Sequence, residues 1–181
     1  MNLIEQSKQW HEEAEELISR SKLLENLNNS GKTYFSGSYK YDLMLGADID
    51  FLLVCENPET TARNLLDSLI EQRFWNGYKF YDWDNFRSPK HPDYPKAYYV
   101  GTKRTYNKHR WNIDIWIVDK YPVNIDEDWI VKNANGVKKQ VILEIKNARN
   151  NGKFFSSSYD IYDAVINKNI NTVEEFKNLL D

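Results

Sequence analysis

Asp48-Ile49-Asp50-Phe51-Leu52-Leu53-Val54 and Trp111-Asn112-Ile113-Asp114-Ile115-Trp116-Ile117-Val118 decide how this chain of 181 residues folds. Both are short apolar runs rich in β-branched and aromatic side chains, which suits strands inside a sheet. Each also carries acid. Residues two apart on a strand face the same side, about 6 to 7 Å apart, so Asp48 and Asp50 converge on one spot. Like charges beside an apolar strand repel and lose hydration. A divalent cation held through oxygen is the simplest compensation, and a solvated strand end is the plain alternative. Asp114 stands in a run whose other residues are nearly all apolar, where a carboxylate needs a partner. If the two strands are neighbours, Asp114 becomes a third metal ligand or a general base for an acceptor hydroxyl. If they are not, it is a buried acid held by backbone amides or an arginine.

The flanking sequence builds an α/β chain around these runs. Apolar residues at Leu3, Trp10, Ala14, Leu17, Ile18 and Leu24 recur at helical spacing, and the polar stretch 26–32 predicts the end of that helix. Residues 33–36 read as a strand, 39–45 as a short helix, and 60–74 as a helix crossing back over the sheet. Residues 78–83 and 97–102 read as further strands. Pro89, Pro92 and Pro95 make 85–96 a loop. The short link between 97–102 and 111–118 predicts an antiparallel pair, with the basic stretch Lys103-Arg104 to Lys108-His109-Arg110 read first as its solvated turn and otherwise as a local functional patch. Beyond Pro122 the pattern is helical: 126–150 with a break or delay at Gly136, a short helix after Ser156-Ser157-Ser158, and a last one opened by a capping box from Thr172 to Glu175. The expectation is a mixed sheet flanked by helices in a core of residues 1–120, with a helical C-terminal subdomain, 121–181, packed on it.

Composition narrows the function classes. A net charge of −3 lacks the broad positive field that dominates binding to long nucleic acid. No apolar run approaches the length of a membrane span, and Glu5, Glu12 and Glu13 occupy the N-terminal stretch where a signal peptide would be apolar, so a cytoplasmic protein is expected. The lone Cys55 ends an apolar strand and reads as a core filler. His11, His91 and His109 share no metal-ligand spacing. Ser30-Gly31-Lys32-Thr33 resembles the end of a P-loop but lacks its first glycine and precedes a strand instead of following one.

Gly37-Ser38 stands nine residues before Asp48. Glycine lets a phosphate approach the backbone, and amides at the start of a following helix favour an anion; a tight strand-to-helix turn is the plain alternative. Phe35-Ser36-Gly37-Ser38, the Asp48-to-Val54 run and Ile113-Asp114-Ile115 together resemble the motifs of the DNA polymerase β-type nucleotidyltransferase superfamily, in particular its small bacterial branch related to antibiotic nucleotidyltransferases. The likeness covers roughly residues 33–118, and Tyr39-Lys40-Tyr41 and Leu43-Met44-Leu45 depart from the small or charged residues common there. The resemblance implies a nucleoside triphosphate (NTP) as substrate and two Mg²⁺ ions. It implies that Gly37 and Ser38 contact the β and γ phosphates, and that Asp48, Asp50 and Asp114 are the catalytic and metal-binding carboxylates. The activity so implied is transfer of a nucleoside monophosphate to a hydroxyl of a small-molecule acceptor; a non-catalytic nucleotide-binding or regulatory protein of the same fold is the alternative. Lys40, Arg87, Lys96 and Arg104 are the candidate cations for the triphosphate, and Tyr94, Tyr98, Tyr99, Trp111, Trp116, Tyr159 and Tyr162 supply aromatic packing or a stacking surface.

Overall fold

The computed structural model describes residues 2–83, 96–122 and 128–180. The loop expected over 85–96, with Arg87, His91 and Tyr94, lies outside the described residues except for Lys96. Among the described residues the elements follow in the order α1 (Leu3–Ser21), α2 (Leu23–Ser30), β1 (Lys32–Ser36), α3 (Gly37–Lys40), β2 (Asp48–Val54), α4 (Pro58–Glu71), β3 (Gly77–Asp82), β4 (Tyr98–Tyr106), β5 (His109–Val118), α5 (Asp128–Asn133), α6 (Gly136–Asn150), α7 (Ser158–Ile166) and α8 (Val173–Leu180). The fold is mixed α/β, a five-stranded open sheet flanked by helices with helices at the C-terminal end.

The strand order is β1-β2-β5-β4-β3. β2 and β5 run parallel, with Asp50 opposite Asp114 and Asp48 opposite Asn112. The other pairings are antiparallel. The two acid-bearing runs are therefore neighbours near the middle of the sheet. Strand alternation sends Ile49, Phe51 and Leu53 of β2 and Ile113, Ile115 and Ile117 of β5 to one face, all fully buried. The rear parts of α1 and all of α2 and α4 supply Ala14, Leu17, Leu23, Leu27, Leu65 and Leu69 to the core of the same unit. Trp111 on that face donates its indole N–H to Glu13 of α1 at 3.0 Å.

Several boundaries differ from the sequence expectation for identifiable reasons. The helix that opens at Leu3 ends at Ser21, ahead of the expected stretch 26–32, and it is a second helix that ends within that stretch. Lys22 adopts φ 52° and breaks α1, after which α2 runs to Ser30 because Leu23 and Leu27, four residues apart, are both completely buried; that burial outweighs the weak helix preference of the asparagines. Pro58 opens α4 in its first turn, where its missing N–H is not needed. The helix expected over 39–45 is a single turn, Gly37–Lys40, stopped by Asp42 at φ 61°. Most of the basic stretch between β4 and β5 is strand, and the turn shrinks to Asn107 and Lys108, both at positive φ, as a two-residue hairpin requires. Gly136, at φ 50°, separates α5 from α6 as the sequence suggests, and Val137 beside it is 77% exposed. Cys55 is only half-buried. At α8 half of the expected capping box forms: Thr172 accepts from the Glu175 N–H, while the Glu175 carboxylate accepts from Asn171 instead of Thr172. The complete box is at α7, between Ser157 and Asp160.

The chain forms two compact units, residues 12–39 with 47–124, and residues 1–11 with 40–46 and 125–181. Where the sequence suggests a division at residue 120, the chain thus passes between units several times. The first unit holds the sheet. The second is helical, with Leu43, Ile130, Ile142, Leu143, Ile145, Ile161, Val165 and Phe176 in its core. In it, three side chains of α6 grip the segment that follows α3. Lys139 pairs with Asp42 at 2.8 Å, Lys146 donates to the Leu43 carbonyl at 2.6 Å, and Asn150 donates to the Leu45 carbonyl. Lys146 is 3% exposed and also donates to the Tyr162 hydroxyl. No described helix is long and apolar enough to cross a membrane.

Candidate functional site

The site lies on the sheet face opposite the helix-covered core. One row of paired residues crosses all five strands there: Ser36 on β1, Asp50 on β2, Asp114 on β5, Gly101 on β4 and Lys79 on β3. The adjacent row carries Asp48, Asn112 and Lys103. Alternation explains the local sequence, since every second residue of an otherwise apolar strand must face away from the core. Asp48 is exposed, and Asp50 and Asp114 are half-buried.

Asp48, Asp50 and Asp114 each offer a carboxylate oxygen within 4.8 Å of the others. Adjacent ligands on octahedral Mg²⁺ stand about 3 Å apart, given Mg–O distances of about 2.1 Å, so modest side-chain rotations close the set around an ion. Donors that are all carboxylate oxygen suit Mg²⁺, Ca²⁺ or Mn²⁺, not the nitrogen- and sulfur-seeking metals.

Gly37 abuts this cluster. Its φ is +63°, a conformation that strains any L side chain, and a Cβ there would collide with the Asp50 carboxylate. The glycine is thus fixed twice, by backbone conformation and by contact with the acid. Ser38 follows it on the single turn α3 and is half-buried.

Tyr99 is the feature that sequence reading passed over by counting it among packing aromatics. It projects from β4 two residues from Gly101 and donates its hydroxyl to Asp114 Oδ1 at 2.5 Å. Its ring is sandwiched between Tyr81 and Trp116, with centroids 5.4 and 5.2 Å away. Burial first, then the hydrogen bond to Asp114 and the charges of Asp114 and Asp48, push this phenol far above its ordinary range, so it stays a donor. The signal was the register: a tyrosine two positions from a glycine that pairs with an aspartate.

The cations are also redistributed. Arg104 faces the core side, where it donates to the Phe74 carbonyl and lies 4.2 Å from the Phe74 ring. Lys40 sits on α3 with its ammonium 5.8 Å from the Tyr41 ring. Lys79 and Lys103, neither of them among the cations expected to meet the triphosphate, share the face of the carboxylates through their register positions. Their signal was likewise positional, and a lysine in a strand says nothing until its strand's neighbours are known. Compared with known proteins, the chain matches no family model, no curated protein and no solved structure at a significant level.

Proposed function

We propose that this protein is a Mg²⁺-dependent nucleotidyltransferase that moves a nucleoside monophosphate from an NTP to a hydroxyl of a small-molecule acceptor. The observation that carries the reading is the convergence of Asp48, Asp50 and Asp114, from two parallel strands, within 4.8 Å of one another beside Gly37. Metal ions bound there would supply Lewis-acid stabilisation of the charge on the phosphoryl oxygens. Asp48 and Asp50 would hold the cation. Asp114 completes the ligand set or takes the proton of the acceptor hydroxyl. The acceptor oxygen then bonds to the α-phosphorus, the bond to the β-phosphate oxygen breaks, and pyrophosphate leaves. Gly37 and Ser38 lie where the chain turns next to Asp50 and offer backbone N–H groups to the phosphates, and Lys79 and Lys103 bring positive charge to the same sheet face. The net charge of −3 favours a small acceptor over a long nucleic acid.

Calorimetric titration of ATP, GTP, CTP and UTP with and without Mg²⁺ tests the reading. One of them should bind only with Mg²⁺ and lose that binding in Asp50→Asn. Equal binding by wild type and variant would overturn the assignment. Pyrophosphate release with an acceptor library separates transfer from binding alone: metal-dependent nucleotide binding with no release from any acceptor would favour the non-catalytic alternative.

A further inference from the structure

Tyr99 and Gly101 form one device with Asp114 as its object. A strand side chain ordinarily stands away from the sheet, but the Tyr99 ring lies along β4 across the position of residue 101. A Cβ on Gly101 would fall 2.8 Å from ring atom Cζ, 2.9 Å from Cε1, and closer still to the hydroxyl. Gly101 does not lie in the left-handed region of φ. Backbone conformation therefore does not demand a glycine here; space for the tyrosine does. Gly101 is also the register partner of Asp114, so the vacancy lies next to the carboxylate that the hydroxyl reaches. Tyr81 and Trp116 hold the ring from either side, and Tyr99 is only 7% exposed. A flexible aspartate on a half-open strand face would otherwise sample several rotamers, each placing its oxygens differently toward Asp50 and Asp48.

We infer that Tyr99 is a positioning residue for divalent-cation binding: its hydroxyl fixes the rotamer of Asp114 and engages Oδ1, so that the carboxylate meets the ion already oriented, and Gly101 is the space that makes this reach possible. The inference rests on the reading of the three aspartates as metal ligands. Partners that orient metal-binding side chains change affinity by about 10- to 100-fold when removed. Tyr99→Phe deletes one oxygen and keeps both ring contacts, while Gly101→Ala keeps the hydroxyl and displaces the ring.

The test is Mn²⁺ binding to the full chain without nucleotide, followed by electron paramagnetic resonance, together with thermal melting of the metal-free proteins. Tyr99→Phe and Gly101→Ala should each bind Mn²⁺ about 10- to 100-fold more weakly, with the metal-free melting temperature of Tyr99→Phe unmoved. Tyr99→Phe should have no further effect once Asp114→Asn is in place. Wild-type affinity in Tyr99→Phe would overturn the inference alone. So would an affinity loss that merely tracked a fall in metal-free melting temperature, which would make Tyr99 a packing residue. Absence of Mn²⁺ binding by the wild type would overturn the reading of the aspartates, and the inference with it.

Discussion

Along β2 the two faces of the sheet have been given different tasks. Ile49, Phe51 and Leu53 are fully buried on the helix side, whereas Asp48 and Asp50 on the other side remain exposed or half-buried. β5 repeats the division, with Ile113, Ile115 and Ile117 inward and Asp114 between Asn112 and Trp116 outward. The inward residues need volume and apolarity, which many side chains provide. On the proposed reading the three outward acids need oxygen atoms at particular points, which few side chains provide, while Leu52 and Trp116 farther along the same face pack in a small apolar cluster. Neighbouring positions in one short segment should therefore fail in different ways when changed, one set in stability and the other in ligand binding.

The strongest challenge to that division is Phe51→Ala. Removing a fully buried aromatic should lower stability by about 3–5 kcal/mol, read from urea unfolding. The protein that remains folded should keep its Mg²⁺-dependent nucleotide affinity within a factor of about two, because the excised ring faces away from the carboxylates. A large affinity loss in the folded fraction would show that the faces are coupled through the backbone.

Asp50→Asn is the reverse experiment. Metal-dependent nucleotide binding should fall on the order of 100-fold, since removing even an outer partner of a metal ligand reaches that range. Metal-free stability should stay level or rise, because three carboxylates within 4.8 Å repel one another and the change removes one charge. Destabilisation comparable to that of Phe51→Ala would identify Asp50 as part of the structural core and break the division from the other side.

Gly37→Ala is the position where both measures should move together. The left-handed backbone costs an L residue roughly 1–2 kcal/mol, and the new methyl would push the Asp50 carboxylate aside. A loss of stability without a loss of Mg²⁺ affinity would mean that the Asp50 carboxylate can move off the glycine and still bind.

What was legible in the sequence follows the same division. The two acid-bearing strands and their antiparallel hairpin partner could be read because alternation, β-branched residues and a short link are local properties. Asp48, Asp50 and Asp114 could be picked out because a carboxylate in an apolar run is conspicuous wherever it stands, and Gly37 because a glycine stands at a fixed short distance before them. The site's second half was hidden because it depends on which residues become cross-strand neighbours. Tyr99 looks like any core aromatic until β4 is set against β5 with Gly101 opposite Asp114. α2 was missed since Asn26-Leu27-Asn28-Asn29 is locally turn-like and only the burial of Leu27 holds it helical. The grip of Lys139, Lys146 and Asn150 on residues 42–45 joins positions about a hundred residues apart, and no periodicity encodes it.

Lys103 and Arg104 offer the finest version of the contrast, because they are adjacent in sequence and point to opposite faces of β4. Arg104, the more conspicuous cation in a sequence reading, is committed to the Phe74 carbonyl and ring on the core side. Arg104→Ala should therefore cost about 1 kcal/mol of stability through a lost hydrogen bond and ring contact and leave nucleotide affinity alone. Lys103 pairs in register with Asn112, itself beside Asp48, and its stem runs over Gly77. A flexible, partly exposed ammonium contributes on the order of 0.5–1 kcal/mol to an ionic contact, so Lys103→Ala should weaken triphosphate binding about two- to fivefold, with more effect at low salt than at high salt. Unfolding should be unaffected. If instead Arg104→Ala weakens the nucleotide and Lys103→Ala does not, the triphosphate does not reach Lys103 on the carboxylate face, and the contrast between the two faces of β4 fails.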